Sequence, residues 1–232
     1  KEIGFQDKTI IFQENILNHI IENYTFEPGV RSLRRSLENI LLKLNIDKIY
    51  QRGKFEINSY DDKNPLIIDK DIVSEFLGET KVEYNKIHAN NMIGIVNGLY
   101  ATTLCSGGIV PIQLIGHHFG ENNKFTLKLT GNQKKVMKES VFYAFTTAIN
   151  LLTEEGKKIF YDNYPNGIHI HTPEAATPKD GPSAGVAFTL GFLSLMLNLK
   201  VDKELALTGE VDLLGNATKI GGVKYKVQGG FK

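Results

Sequence analysis

Among 232 residues there is one cysteine, Cys105, so an internal disulfide framework is excluded and a reducing compartment fits the chain. Charge of a single sign is also missing: 27 basic side chains face 26 acidic ones, leaving a formal net charge of +1. Nothing in that balance calls for nucleic acid, an anionic membrane or an acidic substrate. No apolar run reaches the roughly eighteen residues of a membrane-spanning helix. The longest, Val186 to Leu199, is broken by Thr, Gly, Ser and Asn. The N-terminus, Lys1-Glu2-Ile3-Gly4-Phe5, lacks both the apolar core of a signal peptide and an initiator Met, so the chain is expected to be an excised portion of a longer protein. A Gly-x-x-x-x-Gly-Lys-Ser/Thr loop is absent too, and the chain alone is not expected to hydrolyse ATP.

What is present is ordinary globular composition, 41% hydrophobic and 23% charged, enough for one large domain or two smaller ones. The first third reads as helical. Phe12, Ile16, Leu17, Ile20 and Ile21 form one stripe within Ile11 to Ile21. After the Pro28-Gly29 break, Leu33, Leu37, Ile40, Leu41 and Leu44 form a second. Phe55-Glu56-Ile57 alternates like a short strand. Asp69 is placed to cap a helix running through Val73, Phe76 and Leu77 that Gly78 closes. Residues 1–78 therefore make a small helical domain, and the polar stretch 79–91 a linker.

From residue 92 the pattern is α+β. Ile93 to Ala101, Ile109 to Ile115 and Phe125 to Leu129 suggest an antiparallel run of strands. Val136 to Leu152 reads as a helix, Ile168 to His171 as a strand, Ser183 to Leu199 as an apolar helix and Leu205 to Val211 as a strand. Leu214-Gly215-Asn216 is a turn. Cys105, where a strand runs into a turn, is expected to pack as a small hydrophobe rather than act as a nucleophile.

Thr177-Pro178-Lys179-Asp180-Gly181-Pro182-Ser183-Ala184-Gly185 is the most informative segment. A Gly/Pro loop runs straight into a helix, with Pro182 suited to its first turn. Free backbone N–H groups and the positive end of the helix dipole converge on Ser183. Three functions fit: a helix cap, a cradle for an anion, or a nucleophile whose oxyanion the amides stabilise. Spacing selects none of them.

A serine nucleophile needs a base. None of His19, His88, His117, His118, His169 and His171 can be assigned to Ser183 from sequence. His169 and His171 share a strand face, where a metal is conceivable but other strand-face partners are favoured, because no further Cys or His completes a site. A lysine whose pKa is lowered by burial can serve instead. The Gly pair in Gly221-Gly222-Val223-Lys224-Tyr225-Lys226 opens a short helix, and its two lysines are equal candidates.

Pro178 to Gly185 resembles the signature around the catalytic serine of Lon proteases. Thr208-Gly209-Glu210 and Gly221 to Lys226 resemble the family's next two blocks, in order. The second lysine of the last block is the family's base. It falls on Lys226, 43 positions after Ser183, at the family's spacing. The likeness extends to Ile168-His169-Ile170-His171-Thr172-Pro173-Glu174, to Gly131 with Val136-Met137-Lys138-Glu139-Ser140, and to Gly98-Leu99-Tyr100. Pro28-Gly29-Val30-Arg31-Ser32-Leu33 resembles the helical lid of the family's AAA+ ATPase.

The resemblance implies an α+β protease domain over 92–232 behind a partial lid at 1–78, and an ATP-dependent serine endopeptidase acting on unfolded or damaged proteins. In it Ser183 attacks, Lys226 is the base and Thr208 holds the lysine. Amides of the Gly181-Pro182-Ser183 region supply the oxyanion donors, and Asp180 is a structural or regulatory neighbour, either capping the serine helix or switching its loop. Arg31 is implied as a nucleotide sensor. ATP and Mg2+ belong to the longer protein, with no cofactor or metal in this portion. A homo-oligomeric ring, a hexamer, is implied, with no membrane and no nucleic acid required, in the mitochondrial matrix by preference or a bacterial cytoplasm. Three departures stand out: Lys219 where the family has proline, Tyr225 where it has Glu, and only six residues after Lys226, where the family continues for a helix–strand–helix stretch. A missing flank is the one circumstance that would leave Lys226 solvated, with an ordinary pKa and no activity. The rival functions are an anion-binding module with Lys226 as counter-charge, and a catalytically silent assembly domain.

Overall fold

The computed structural model describes residues 5, 9–25, 27, 29–50, 60–61, 63–80, 87–103, 105–117 and 124–231. The short strand expected at Phe55-Glu56-Ile57 lies outside them, as does the middle of the stretch 79–91. The chain divides into two compact units, Lys1–Glu83 and Tyr84–Lys232.

In the first unit, strand β1 (Ile10–Phe12) pairs in parallel with β2 (Leu66–Ile68), beside helices α1 (Glu14–Tyr24), α2 (Arg31–Tyr50) and α3 (Lys70–Leu77). Ile11 and Phe12 were expected to begin the first helix. They are in β1 instead, because the β-branched and aromatic run Ile10-Ile11-Phe12 finds a strand partner far along the chain, beyond the reach of a local period. The helix starts at Glu14 and buries Ile16, Ile20 and Tyr24 against Ile40 and Leu44 of α2. At α3 the Asp69 carboxylate accepts from the Ile72 N–H at 2.9 Å, and Gly78 closes the helix with φ 77°. Asp69→Ala is expected to lower the stability of this unit by about 1 kcal/mol in urea unfolding, the usual worth of an N-cap.

The second unit is built on a mixed five-stranded sheet in the order β5-β6-β4-β3-β7. Its strands are β3 (Ile95–Ala101), β4 (Gly107–Gly116), β5 (Thr126–Thr130), β6 (Gly167–His171) and β7 (Ala206–Leu207). Only β3 and β4 form the expected antiparallel hairpin. β5 lies beyond β6 and pairs with it in parallel, because the chain between them crosses over through α4 (Lys135–Asn150) and α5 (Glu154–Asn163). Helix α6 (Gly185–Leu197) buries Ala187, Phe188 and Phe192 with Ile112, Leu114, Ile168 and Ile170 of the sheet and Val141 and Ala144 of α4. The strand expected over Leu205–Val211 is two short pieces, β7 and β8 (Glu210–Val211), in different sheets. β8 forms a hairpin with β9 (Ala217–Thr218) around Leu214-Gly215-Asn216. Helix α7 (Val223–Gly230) packs on β3 and β4. The architecture is α+β, a small mainly helical unit followed by a mixed-sheet unit. Among the described residues no helix is long and apolar enough to cross a membrane.

Candidate active site

The Gly/Pro loop delivers Ser183 to a turn just ahead of α6, not into its first turn. Gly181 takes φ 107°, a left-handed conformation that suits glycine. Pro182 accepts from the Gly185 N–H at 3.0 Å, and the helix begins at Gly185. What holds Ser183 there is the break between β7 and β8. The Gly209 N–H donates to the Ser183 carbonyl at 2.7 Å, the Gly209 carbonyl accepts from Val186 at 3.0 Å, and the Thr208 hydroxyl donates to the Ser183 carbonyl at 3.2 Å. Thr208 and Gly209 leave the strand in order to pair with the serine turn.

Lys226 sits in the first turns of α7, its N–H donating to the Gly222 carbonyl at 3.0 Å. Its side chain is buried, 5% exposed, and Nζ donates to Thr208 Oγ1 at 3.2 Å. The lysine is not solvated: packing of α7 on the β3–β4 hairpin encloses it. Burial holds its pKa below the ordinary lysine value. Lys224, the other candidate from the sequence, is exposed. Ser183, Thr208 and Lys226 are thus joined by two hydrogen bonds that share one hydroxyl.

Asp180 does not cap the serine helix. Its Oδ1 accepts from the Met137 N–H at 3.0 Å, in the first turn of α4. Backbone donors at Gly181, Met137 and Val136, with help from Lys134, hold this carboxyl below the usual range. It ties the loop to a second helix, and burial alone sets the pKa of Lys226. Two further ties escaped the sequence. Lys179 Nζ donates to the carbonyls of Glu174 at 2.7 Å and Thr177 at 3.2 Å, and the Tyr143 hydroxyl donates to the Pro182 carbonyl at 3.4 Å. A basic residue inside a Gly/Pro loop was the available signal for the first; Tyr143 gave none.

The remaining candidates lie elsewhere. Arg31 is exposed at the start of α2, in the first unit. His169 and His171 share the Thr130 hydroxyl, at 2.8 Å from Nε2 of one and 2.7 Å from Nδ1 of the other. Burial first, then nearby Lys128, keeps His169 below its ordinary pKa. Among the described residues no group of three His, Cys, Asp or Glu is placed to hold a metal. Cys105 is exposed in the β3–β4 turn with φ 57°, not packed as a hydrophobe, because the tight turn between the strands points it outward.

Comparison with known proteins turns this geometry into a family. Residues 67–231 match the family model of the Lon protease C-terminal proteolytic domain, and residues 1–53 match that of the Lon protease AAA+ ATPase lid domain. The chain belongs to the Lon protease family. It is 41% identical over 270 residues to the Lon protease homolog of Acanthamoeba polyphaga mimivirus, covering 95% of this chain and 26% of that protein. It is 37% identical over 229 residues to the Lon protease of Clostridium acetobutylicum, covering 98% and 27%. With the mitochondrial Lon protease homolog of Drosophila melanogaster the identity is 34% over 235 residues, covering 97% and 22%. The chain spans about a quarter of the length of these Lon relatives. They come from a virus, a bacterium and an animal mitochondrion, so Lon membership alone carries no compartment with it.

Proposed function

We propose that this chain is the peptidase portion of an ATP-dependent Lon protease, cleaving peptide bonds with Ser183 as nucleophile and Lys226 as general base. The observation that carries the proposal is the buried, pKa-lowered Lys226 linked through Thr208 to the carbonyl of Ser183. A neutral amine at Nζ takes the Ser183 hydroxyl proton as Oγ bonds to the substrate carbonyl carbon. The same proton then passes to the leaving nitrogen as the C–N bond breaks, leaving an acyl-enzyme. Water, deprotonated by Lys226, attacks the ester and restores Ser183. Pro182 has no N–H and that of Gly181 bonds the Asp180 carboxylate, so the Ser183 amide is the donor assigned to the oxyanion.

ATP and Mg2+ fall to a longer protein. Arg31 is exposed at the start of α2, and no step of the peptidase reaction runs through a nucleotide. Nucleotide sensing by Arg31, unfolded-protein substrates and a homo-oligomeric ring, a hexamer, are proposals for that longer protein. A mitochondrial matrix or bacterial cytoplasmic setting is proposed for it as well.

Intact mass after incubation with a peptide boronate tests the peptidase. A single adduct on the native chain, absent from Ser183→Ala, is expected. A folded native chain that takes up no boronate would overturn the proposal and leave a silent assembly or anion-binding module.

A further inference from the structure

The balanced total charge conceals a local imbalance in the second unit. A cleft of about 480 Å³ is lined by Thr130, Asn132, Gln133 and three exposed lysines, Lys134, Lys135 and Lys138. These lysines sit on and just before the first turn of α4, where a helix favours negative charge, so the helix dipole gains nothing from clustering them there. Among the described residues none of the three makes an ion pair within 4.0 Å. Asp180, the carboxylate beside them, is already committed to backbone N–H groups. The cleft therefore presents a net positive charge, with Asp180 offsetting Lys134 alone.

A second observation concerns the same cleft. Gln133 is buried, 4% exposed, and its Nε2 donates to the carbonyls of Thr130 at 2.9 Å and Ile170 at 3.5 Å. Those two carbonyls fix the orientation of the amide. Its Oε1 is buried too and has no partner among the described residues, so the wall of the cleft holds an unsatisfied acceptor.

The cleft and the serine loop are one structure. The Lys134 N–H donates to the Lys179 carbonyl at 2.8 Å, and the Lys179 N–H donates to the Asn132 carbonyl at 3.1 Å. Ser183 follows Asp180 by three residues, a reach of about 11 Å at most. We propose that this cleft is a substrate subsite that selects acidic peptide segments, with Lys134, Lys135 and Lys138 meeting Asp or Glu side chains beside the unsatisfied acceptor of Gln133. The proposal rests on the peptidase function of Ser183 and names the substrate class of that site.

Binding can be read without turnover. The Ser183→Ala chain would be titrated, by fluorescence anisotropy at low salt, against a labelled peptide carrying three Glu and against its counterpart carrying three Gln. The acidic peptide is expected to bind about fivefold more tightly, from exposed charge pairs of ordinary strength. Lys135→Gln/Lys138→Gln should remove that preference, and Lys135→Glu/Lys138→Glu should reverse it. Equal affinity for the two peptides, or a preference that survives in the Glu variant, overturns the subsite. The boronate adduct separates the two proposals. A native chain that forms the adduct without charge discrimination sinks the subsite alone. A chain that discriminates without forming the adduct keeps the acidic-peptide cleft and sinks the peptidase.

Discussion

Replacing Lys226 with methionine is expected to slow acylation of Ser183 by about a thousandfold, the scale of a lost general base, and to make the folded chain more stable at neutral pH. Both effects come from the burial of Nζ with no acidic partner among the described residues. The folded state disfavours the charged amine, so the pKa of Lys226 lies below the ordinary 10.5. Between the lowered pKa and 10.5 the unfolded chain carries a proton that the folded chain does not, and native stability rises with pH. Below the lowered pKa the penalty is complete. Methionine fills similar space with no charge, and the Thr208 hydroxyl keeps its bond to the Ser183 carbonyl, so no donor is orphaned. Urea unfolding at a series of pH values should show a gain of about 1 kcal/mol at neutral pH, shrinking towards none as the pH approaches 10.5. A methionine variant less stable than the native chain at neutral pH would mean that Lys226 is charged and paired, and so no base. The native acylation rate should likewise rise with pH through a midpoint below 10.5.

Some of this was legible along the chain and some was not, for a physical reason that recurs. Features fixed within one or two turns could be read directly: the Asp69 cap, the Gly78 stop, and the stripe of α2 that buries Ile40 and Leu44. The Ser183, Thr208 and Lys226 blocks could be picked out by resemblance, and the two hydrogen bonds through Thr208 bring them together. Features that depend on a distant partner were misread. Ile11 and Phe12 looked helical until Leu66–Ile68 supplied a strand, and β5 was expected beside β4 until β6 took the place between them. Leu205–Val211 looked like one strand because nothing local says that Gly209 must turn to bond Ser183 and Val186. Helix α5 went unseen since it buries little beyond Phe160, although Thr153 caps it by accepting from Gly156 at 3.1 Å. The burial of Lys226 could not be read locally for the same reason: α7 packs on β3 and β4, which are remote in sequence.

Gly107→Ala is accordingly expected to reduce acylation of Ser183 by about a hundredfold although it touches neither Ser183 nor the substrate, the scale of an ångström-sized misplacement of a reacting group. A Cβ at Gly107 would lie 2.1 Å from the Tyr225 carbonyl oxygen, 2.6 Å from the Tyr225 carbonyl carbon and 2.8 Å from the Tyr100 carbonyl oxygen. These are backbone atoms, which cannot swing aside, so α7 must lift from β4 and carry Lys226, the next residue, with it. Water then reaches Nζ, and the lysine pKa climbs back towards its ordinary value. The pH profile of acylation should move to higher pH, a change that a general loss of folded protein would not produce. The neighbouring glycine supplies the contrast. A Cβ at Gly108 would meet the tip of the Tyr100 side chain, Oη at 2.7 Å and Cε1 at 2.9 Å, and that tip can move. Gly108→Ala should therefore retain the native pH profile and most of the acylation rate. If Gly107→Ala kept the native profile too, α7 would not depend on that contact, and the burial of Lys226 would have to come from the rest of its packing on the hairpin.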